Sequence, residues 1–83
     1  MIIPQHPGFE LGERIQQKGM TMSDFARAIH VSPSRISELV AGKRSLSIDS
    51  AYKISQAFNT PMNYWMMKQM EYDIFYKELA ESA

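Results

Sequence analysis

A face of small polar side chains around one arginine is the part of this sequence best suited to chemistry, and that chemistry is hydrogen bonding. Arg35 presents several N–H donors in a fixed fork, and the hydroxyls of Ser34 and Ser37 can donate or accept. Glu38 adds a carboxylate that accepts. Such short side chains let a helix enter a groove lined with donors and acceptors. The alternative is an ordinary solvated face, with Arg35 paired to Glu38 or Asp49.

The residues on either side of this face predict one short helix that carries it. Ser32 is a preferred N-cap, and Pro33 suits the first helical position, where its missing N–H costs nothing. Gly42 ends the apolar pattern. Residues spaced by three and four positions form the inward face, namely Ile36, Leu39 and Val40.

A second short helix is predicted directly before it, from Thr21 to about His30. The Thr21 hydroxyl can cap the N–H of Asp24, whose carboxylate can reach back in a variant of the capping box. The connecting turn has about three residues, which sets a tight crossing of the two helices, as in a helix-turn-helix unit. His30 in this turn is expected to adopt a positive φ, at a cost that glycine would avoid.

Three further helices and no strand are predicted. One runs from about Gly8 to Lys18 and ends at Gly19. Another runs from the Ser47 cap to Asn59. The last runs from Pro61 towards Leu79, with Thr60 before the proline as a second cap-plus-proline signal. The inward residues expected between Ser47 and Asn59 are Ile48, Ala51, Ile54 and Phe58.

The last helix carries more apolar surface than one core stripe needs, which favours a partner surface. Core packing and dimer contact both remain open for its tryptophan and methionines. A hydrogen-bonded pair is expected at Tyr72 and Asp73. The candidate dimer-interface residues are Trp65, Met66, Met70, Tyr72 and Phe75.

Length and composition exclude several classes of function. The 83 residues predict one domain over residues 1–83, with a core thin enough to gain from oligomerisation. The absence of cysteine excludes disulfides, a thiolate nucleophile and cysteine-based zinc sites, and fits a reducing cytoplasm. His6 and His30 lack ligand-like spacing, so no metal is expected. No catalytic motif, cofactor motif or membrane-spanning run appears, so we expect neither an enzyme nor a membrane protein.

The charges are unevenly distributed along a chain whose formal net charge is zero. Residues 20–60 carry five basic and three acidic side chains, whereas residues 61–83 carry two basic and four acidic ones. This asymmetry favours two surfaces with different partners.

The stretch MTMSDFARAIHVSPSRISELVAGKRSLS resembles the helix-turn-helix of the λ-repressor-like, or XRE, DNA-binding family. That resemblance implies an all-α, five-helix domain with its helix-turn-helix at about residues 22–41 and a C-terminal helix at about 61–79. The segments HPGFEL and TPMNYWMMKQMEYDIF resemble the HigA branch, which consists of the antitoxins of HigB–HigA pairs. Phe9 replaces a usually acidic residue of that branch, and His30 a usual glycine.

The chemistry of the outward residues agrees with the DNA contacts that the resemblance implies. Arg35 can chelate guanine O6 and N7, Glu38 can accept from cytosine N4, and Pro33 can pack on a thymine methyl group. Lys43 and Arg44 suit the phosphate backbone, and also suit the negative end of a helix. Ser34 and Ser37 fit ordinary surface serines equally well. The candidate DNA-binding residues are Thr21, Met22, Ser23, Ser32, Pro33, Ser34, Arg35, Ser37, Glu38, Lys43 and Arg44.

The expected partners are therefore double-stranded operator DNA, a second copy of the chain and, by resemblance, a HigB-like toxin. A homodimer would place its two recognition helices about 34–36 Å apart on a palindromic site. Two alternatives remain open. One is a stand-alone XRE-type regulator without a toxin, and the other is a toxin-inhibiting module that has lost DNA recognition.

Overall fold

Five helices make up the computed structural model, which describes residues 3–82; residues 1, 2 and 83, the ends of the predicted domain, lie outside that range. The helices are α1 (Pro7–Gln17), α2 (Met22–Ala28), α3 (Pro33–Val40), α4 (Ile48–Phe58) and α5 (Met62–Glu81). Residues 3–82 contain no strand. The predicted all-α fold with a helix-turn-helix is confirmed.

Local hydrogen bonds begin three of the helices as the sequence predicts. The hydroxyls of Thr21, Ser32 and Ser47 each accept from the backbone N–H three residues further on, at 3.0, 3.2 and 3.1 Å. Each bond satisfies a donor that has no partner inside its helix. These caps fix where α2, α3 and α4 begin, and therefore which side chains of α3 point outward.

Two predicted capping details are wrong. The Asp24 carboxylate does not reach back, because it pairs with Arg27 at 3.2 Å on the next turn of the same helix. Thr60 makes no cap for α5, which begins without a side-chain cap. Its hydroxyl instead accepts a hydrogen bond from the indole N–H of Trp65 at 2.8 Å. A buried indole N–H needs a partner, and this need determines the role of Thr60.

Left-handed residues lie in the connections that follow the first four helices. Gly19 and Gly42 have φ of 72° and 73°, while His30 and Asn59 have φ of 60° and 54°. The predicted positive φ at His30 is confirmed. A side chain in this region is disfavoured by about 1–2 kcal/mol relative to the right-handed region, so the turn keeps histidine at a cost.

The core lies between all five helices and contains the inward residues of the helix-turn-helix. Its buried apolar side chains are Leu11, Ile15, Phe25, Ala26, Val31, Ile36, Leu39, Leu46, Ala51, Ile54 and Trp65. The prediction for Ile48 is wrong, since it is 66% exposed. Leu46, just before the cap of α4, is buried at this end of the helix instead.

Candidate nucleic-acid interface

The turn between α2 and α3 is closed by two backbone hydrogen bonds and one buried side chain. The N–H of Val31 donates to the carbonyl of Ala26 at 2.9 Å, and that of His30 donates to Arg27 at 3.2 Å. The Val31 side chain is 8% exposed and belongs to the core. The turn therefore holds α3 in a fixed orientation on α2, with Ile36 and Leu39 inward.

The outward face of α3 brings together the predicted base-contacting residues. Ser32, Pro33, Ser34, Arg35 and Ser37 are all exposed, whereas Ile36 and Leu39 on the opposite side of the helix are buried. The alternative in which Arg35 pairs with a neighbouring carboxylate is not observed. Within residues 3–82 its guanidinium makes no ion pair or side-chain hydrogen bond. Its fork of donors is therefore available to a ligand.

The two carboxylates expected as alternatives for Arg35 have other partners. Glu38 accepts from Arg44 at 3.4 Å, and both side chains are nearly half exposed. Asp49 pairs with Lys53 at 3.5 Å. Exposed pairs of this kind contribute at most about 1 kcal/mol, so DNA can displace the Glu38–Arg44 contact at little cost.

The remaining candidate DNA-binding residues before α3 lie at the start of α2. Thr21 and Met22 are exposed, and Ser23 is half-buried. The Thr21 oxygen accepts the capping hydrogen bond, which leaves its O–H hydrogen free to donate to a phosphate.

The basic loop, which we define as residues 42–45, follows α3 directly. The N–H groups of Gly42 and Lys43 donate to the carbonyls of Leu39 and Glu38, at 3.0 and 2.9 Å. These bonds fold the chain back at the end of α3. The Lys43 side chain is exposed and has no ion pair within residues 3–82. Both predicted phosphate-binding residues thus lie on a loop fixed to the end of the recognition helix.

Gln69 of α5 is a structural residue whose role the sequence did not reveal. Its side-chain oxygen accepts from the backbone N–H of Leu46 at 2.8 Å, and its amide donates to Asp73 at 3.0 Å. Gln69 is 4% exposed. The expected Tyr72–Asp73 pair is therefore wrong, because Asp73 orients Gln69. The sequence did offer one signal for this buried role, namely a polar residue one turn after Trp65 on the inward face of the helix.

The predicted dimer-interface residues divide into a buried and an exposed set. Trp65 has no exposed surface within its own chain, so its assignment to the interface is wrong. Met66, Tyr72 and Phe75 are half-buried. Met70 is 53% exposed.

Met70 lies in an apolar groove of about 490 Å³. We call it the α5 groove and define it by its apolar residues, Leu46, Met66, Met67, Met70 and Ile74. Met67 and Ile74, which are exposed, were missed as candidates, although they continue the spacing of three and four positions through Met70.

A polar cluster attaches α1 to α5. The carboxylate of Glu10 accepts from Arg14 at 2.7 Å and from the Tyr64 hydroxyl at 2.6 Å, and pairs with Lys68 at 3.2 Å. Partial burial alone would raise the pKa of Glu10, but the three donors together outweigh burial and lower that pKa. Arg14 also lies over the Trp65 ring, 5.4 Å from its centre. The cluster holds α5 in place beside the core tryptophan.

This geometry, with a short capped helix presenting polar side chains beside a basic loop, defines a helix-turn-helix DNA-binding fold. Residues 11–65 match the helix-turn-helix family HTH_3, and the chain belongs to that family.

Two curated relatives come from Dichelobacter nodosus. The chain is 33% identical to virulence-associated protein A' over 72 residues, which cover 86% of this chain and 63% of that protein. It is 36% identical to virulence-associated protein I over 70 residues, which cover 83% of this chain and 65% of that protein. The chain therefore spans just under two thirds of the length of each relative.

A solved structure of the antitoxin HigA of Pseudomonas aeruginosa with the higBA promoter has the same fold. It superposes with a TM-score of 0.90 at 30% identity, over 95% of this chain and 87% of that one. The predicted resemblance to the XRE family and its HigA antitoxins is thus confirmed.

Among residues 3–82, no helix combines the length and apolarity needed to cross a membrane.

Proposed function

We propose that this protein binds operator DNA as a homodimer and acts as the antitoxin of a HigB–HigA type pair, neutralising its toxin and repressing its own operon. The observation that carries the proposal is the exposed guanidinium of Arg35, which has no side-chain partner within residues 3–82 and lies on the outward face of α3. The similarity to a HigA structure that contains its promoter supports the same conclusion.

In the proposed complex α3 lies in the major groove. The groove is about 12 Å wide, and it admits a helix whose outward side chains are as short as Ser34 and Ser37. Arg35 donates two parallel hydrogen bonds to guanine, a contact that contributes roughly 1–3 kcal/mol of discrimination against the wrong base. Arg35 therefore carries most of the sequence specificity.

Affinity that does not depend on sequence comes from the basic loop. Lys43 and Arg44 contact phosphates, and each neutralised phosphate releases counterions that had condensed on the duplex. A chain with formal net charge zero offers few such contacts. Binding two copies doubles their number, so a dimer is required for useful affinity.

The α5 groove provides the proposed dimer interface, in place of the interface that included Trp65. Met67, Met70 and Ile74 are 47%, 53% and 48% exposed, and they follow one another at helical spacing. No residue of α5 after Gln69 is buried by the chain itself. A helix with this much unburied apolar surface gains by packing against an identical copy.

A gel shift with the DNA upstream of the gene tests DNA recognition. Arg35→Ala should abolish the preference for the operator over unrelated DNA while the protein stays folded. Arg27→Ala is the matched control, because it removes the same charge from an exposed arginine at the end of α2. Equal specificity in wild type and Arg35→Ala would overturn the assignment of α3.

Co-expression with the product of the adjacent gene tests the antitoxin part of the proposal. The expected result is a stable complex that relieves growth arrest caused by that product alone. DNA binding without complex formation would leave the alternative of a stand-alone transcriptional regulator. Complex formation without DNA binding would leave the alternative of an inhibitor that has lost DNA recognition.

A further inference from the structure

His6 contacts three parts of the fold that are distant in sequence. Its Nδ1 atom lies 2.9 Å from the N–H of Gly8 at the start of α1. Its Nε2 atom lies 3.0 Å from the carbonyl oxygen of Arg44 in the basic loop, 38 residues away in the chain. Its ring also packs edge-on against Tyr72 of α5, with ring centres 5.2 Å apart. His6 is not among the candidate DNA-binding residues.

The two hydrogen bonds define one protonation state of the imidazole. A carbonyl oxygen can only accept, so Nε2 must carry the hydrogen that is donated to Arg44. A backbone N–H can only donate, so Nδ1 must be the unprotonated nitrogen that accepts from Gly8. Only the neutral ring with hydrogen on Nε2 makes both bonds. A doubly protonated ring would direct an N–H group at the N–H of Gly8 and lose the cap of α1.

The same bond fixes the backbone of the basic loop. Arg44 is held at its backbone carbonyl by His6, so its side chain can leave Glu38 for a phosphate while the backbone stays in place. On the other side of Lys43, the N–H of Gly42 donates to the carbonyl of Leu39 at 3.0 Å. Lys43 lies between Gly42 and Arg44, so its backbone is held on both sides. A loop ordered before binding loses less conformational entropy when it meets phosphate.

We propose that His6 is a positioning residue for DNA binding, which holds the basic loop against α1 and α5 through its two hydrogen bonds and its contact with Tyr72. The inference rests on the proposed DNA-binding function.

The groups that surround His6 come from three parts of the fold. From α5 it faces the Tyr72 ring, and Tyr76 lines the same cavity. From the basic loop it faces the backbone carbonyl of Arg44, a residue with a cationic side chain. From α1 it faces the Gly8 amide and lies beside Phe9. Within residues 3–82 no carboxylate pairs with His6. The two hydrogen bonds and the Tyr72 contact are therefore what position the ring.

His6→Asn separates the two hydrogen bonds. Asparagine is among the best N-cap residues and keeps an acceptor for the N–H of Gly8, but it is too short to donate to the Arg44 carbonyl. The full-length variant should unfold at the same temperature as wild type within a few degrees. Its operator affinity at pH 7.5 should be roughly two- to tenfold weaker, as expected for one lost hydrogen bond.

The salt dependence of operator affinity provides a measurement that a purely structural role would not change. His6→Asn should flatten the slope of log affinity against log salt concentration by about one unit, because a loop that is not held loses a phosphate contact. His30→Asn is the matched control, because it removes the other histidine and tolerates the positive φ of 60° at that position. It should keep the wild-type affinity and salt slope.

The outcomes separate this inference from the proposed function. If wild type binds no upstream DNA at pH 7.5, DNA recognition itself fails. If wild type binds and His6→Asn matches it in affinity and salt slope, only the positioning role of His6 is overturned. The ¹⁵N NMR spectrum of the imidazole tests the geometry without DNA. It should show the neutral form with hydrogen on Nε2 at pH 7.5, and any other form would overturn the inference.

Discussion

The backbone of Gly8 in α1 lies directly against the main-chain oxygen of Leu39 in α3. A β-carbon at position 8 would lie 1.7 Å from that oxygen, far inside any permitted contact. One turn later, a β-carbon at Gly12 would lie 2.9 Å from Cγ1 of Val40. The two glycines let α1 cross the end of α3 closely, and this contact determines how α1 packs against α3.

Gly8→Ala should lower the free energy of unfolding by about 2–3 kcal/mol, because the added methyl group forces α1 away from α3. Helix propensity alone predicts the opposite, a gain of about 1 kcal/mol from replacing glycine in a helix. Urea denaturation followed by circular dichroism measures the difference. Gln17→Ala, at an exposed position of α1, is the control and should change stability by less than about 0.5 kcal/mol. A Gly8→Ala protein as stable as wild type would contradict the close packing.

Glu10→Gln should destabilise the protein at pH 7 by about 1 kcal/mol, because the neutral amide binds Arg14 and Lys68 less strongly. The pKa of Glu10 is lowered in the folded protein, so its contribution is fully present above the usual carboxylate range. The contribution is lost as pH falls through the lowered folded value. Denaturation at pH 7 and pH 3 should therefore show a difference between wild type and variant that shrinks at pH 3. Glu13→Gln, exposed on the same helix, is the control and should change the free energy of unfolding at pH 7 by less than about 0.5 kcal/mol.

Gln69→Leu should destabilise the protein by about 1–3 kcal/mol, the cost of leaving the buried N–H of Leu46 without a partner. Thermal and urea unfolding provide the measurement. Gln56→Leu is the control, because that side chain lies exposed on α4 and bonds only to Tyr52 there. If Gln69→Leu were neutral, the link between α5 and the α3–α4 connection would contribute nothing to stability.

Met70→Glu should convert the proposed dimer to monomer, since it places a charge in the middle of the α5 groove. Sedimentation equilibrium at micromolar concentrations measures the change, and operator affinity should fall with it. The control is Tyr52→Glu, which introduces the same charge at a 51% exposed aromatic residue on α4. A Met70→Glu protein that remained dimeric would place the interface elsewhere on the surface.

Features that depend on neighbouring residues in the chain were predictable from the sequence, and features that depend on distant partners were not. The caps at Thr21, Ser32 and Ser47 act over three residues, so local spacing identifies them. The spacing of α3 likewise separates its buried residues from its exposed ones. The positive φ at His30 follows from its position just after the end of a helix.

Long-range relationships have no counterpart in local spacing. Apolar periodicity indicates that Trp65 is buried, but it cannot distinguish burial in the core of its own chain from burial against a second copy of the chain. Periodicity also assigned Ile48 to the core, because nothing local indicates that Leu46 is buried there instead. His6 and Gln69 bond to residues 38 and 23 positions away, so only the folded chain reveals their roles.

The hydrogen bond from the Leu46 N–H to Gln69 joins the α5 groove to the α3–α4 connection, and in the proposed dimer this link bears on the DNA as well as on the protein. Two copies of α3 joined through the α5 groove would have little freedom to adjust their separation to fit the site. One extra base pair between the half-sites turns the second by about 34–36° and moves it by about 3.4 Å. The operator should therefore require a fixed spacer length, and inserting a single base pair at its centre should weaken binding as strongly as mutating one half-site.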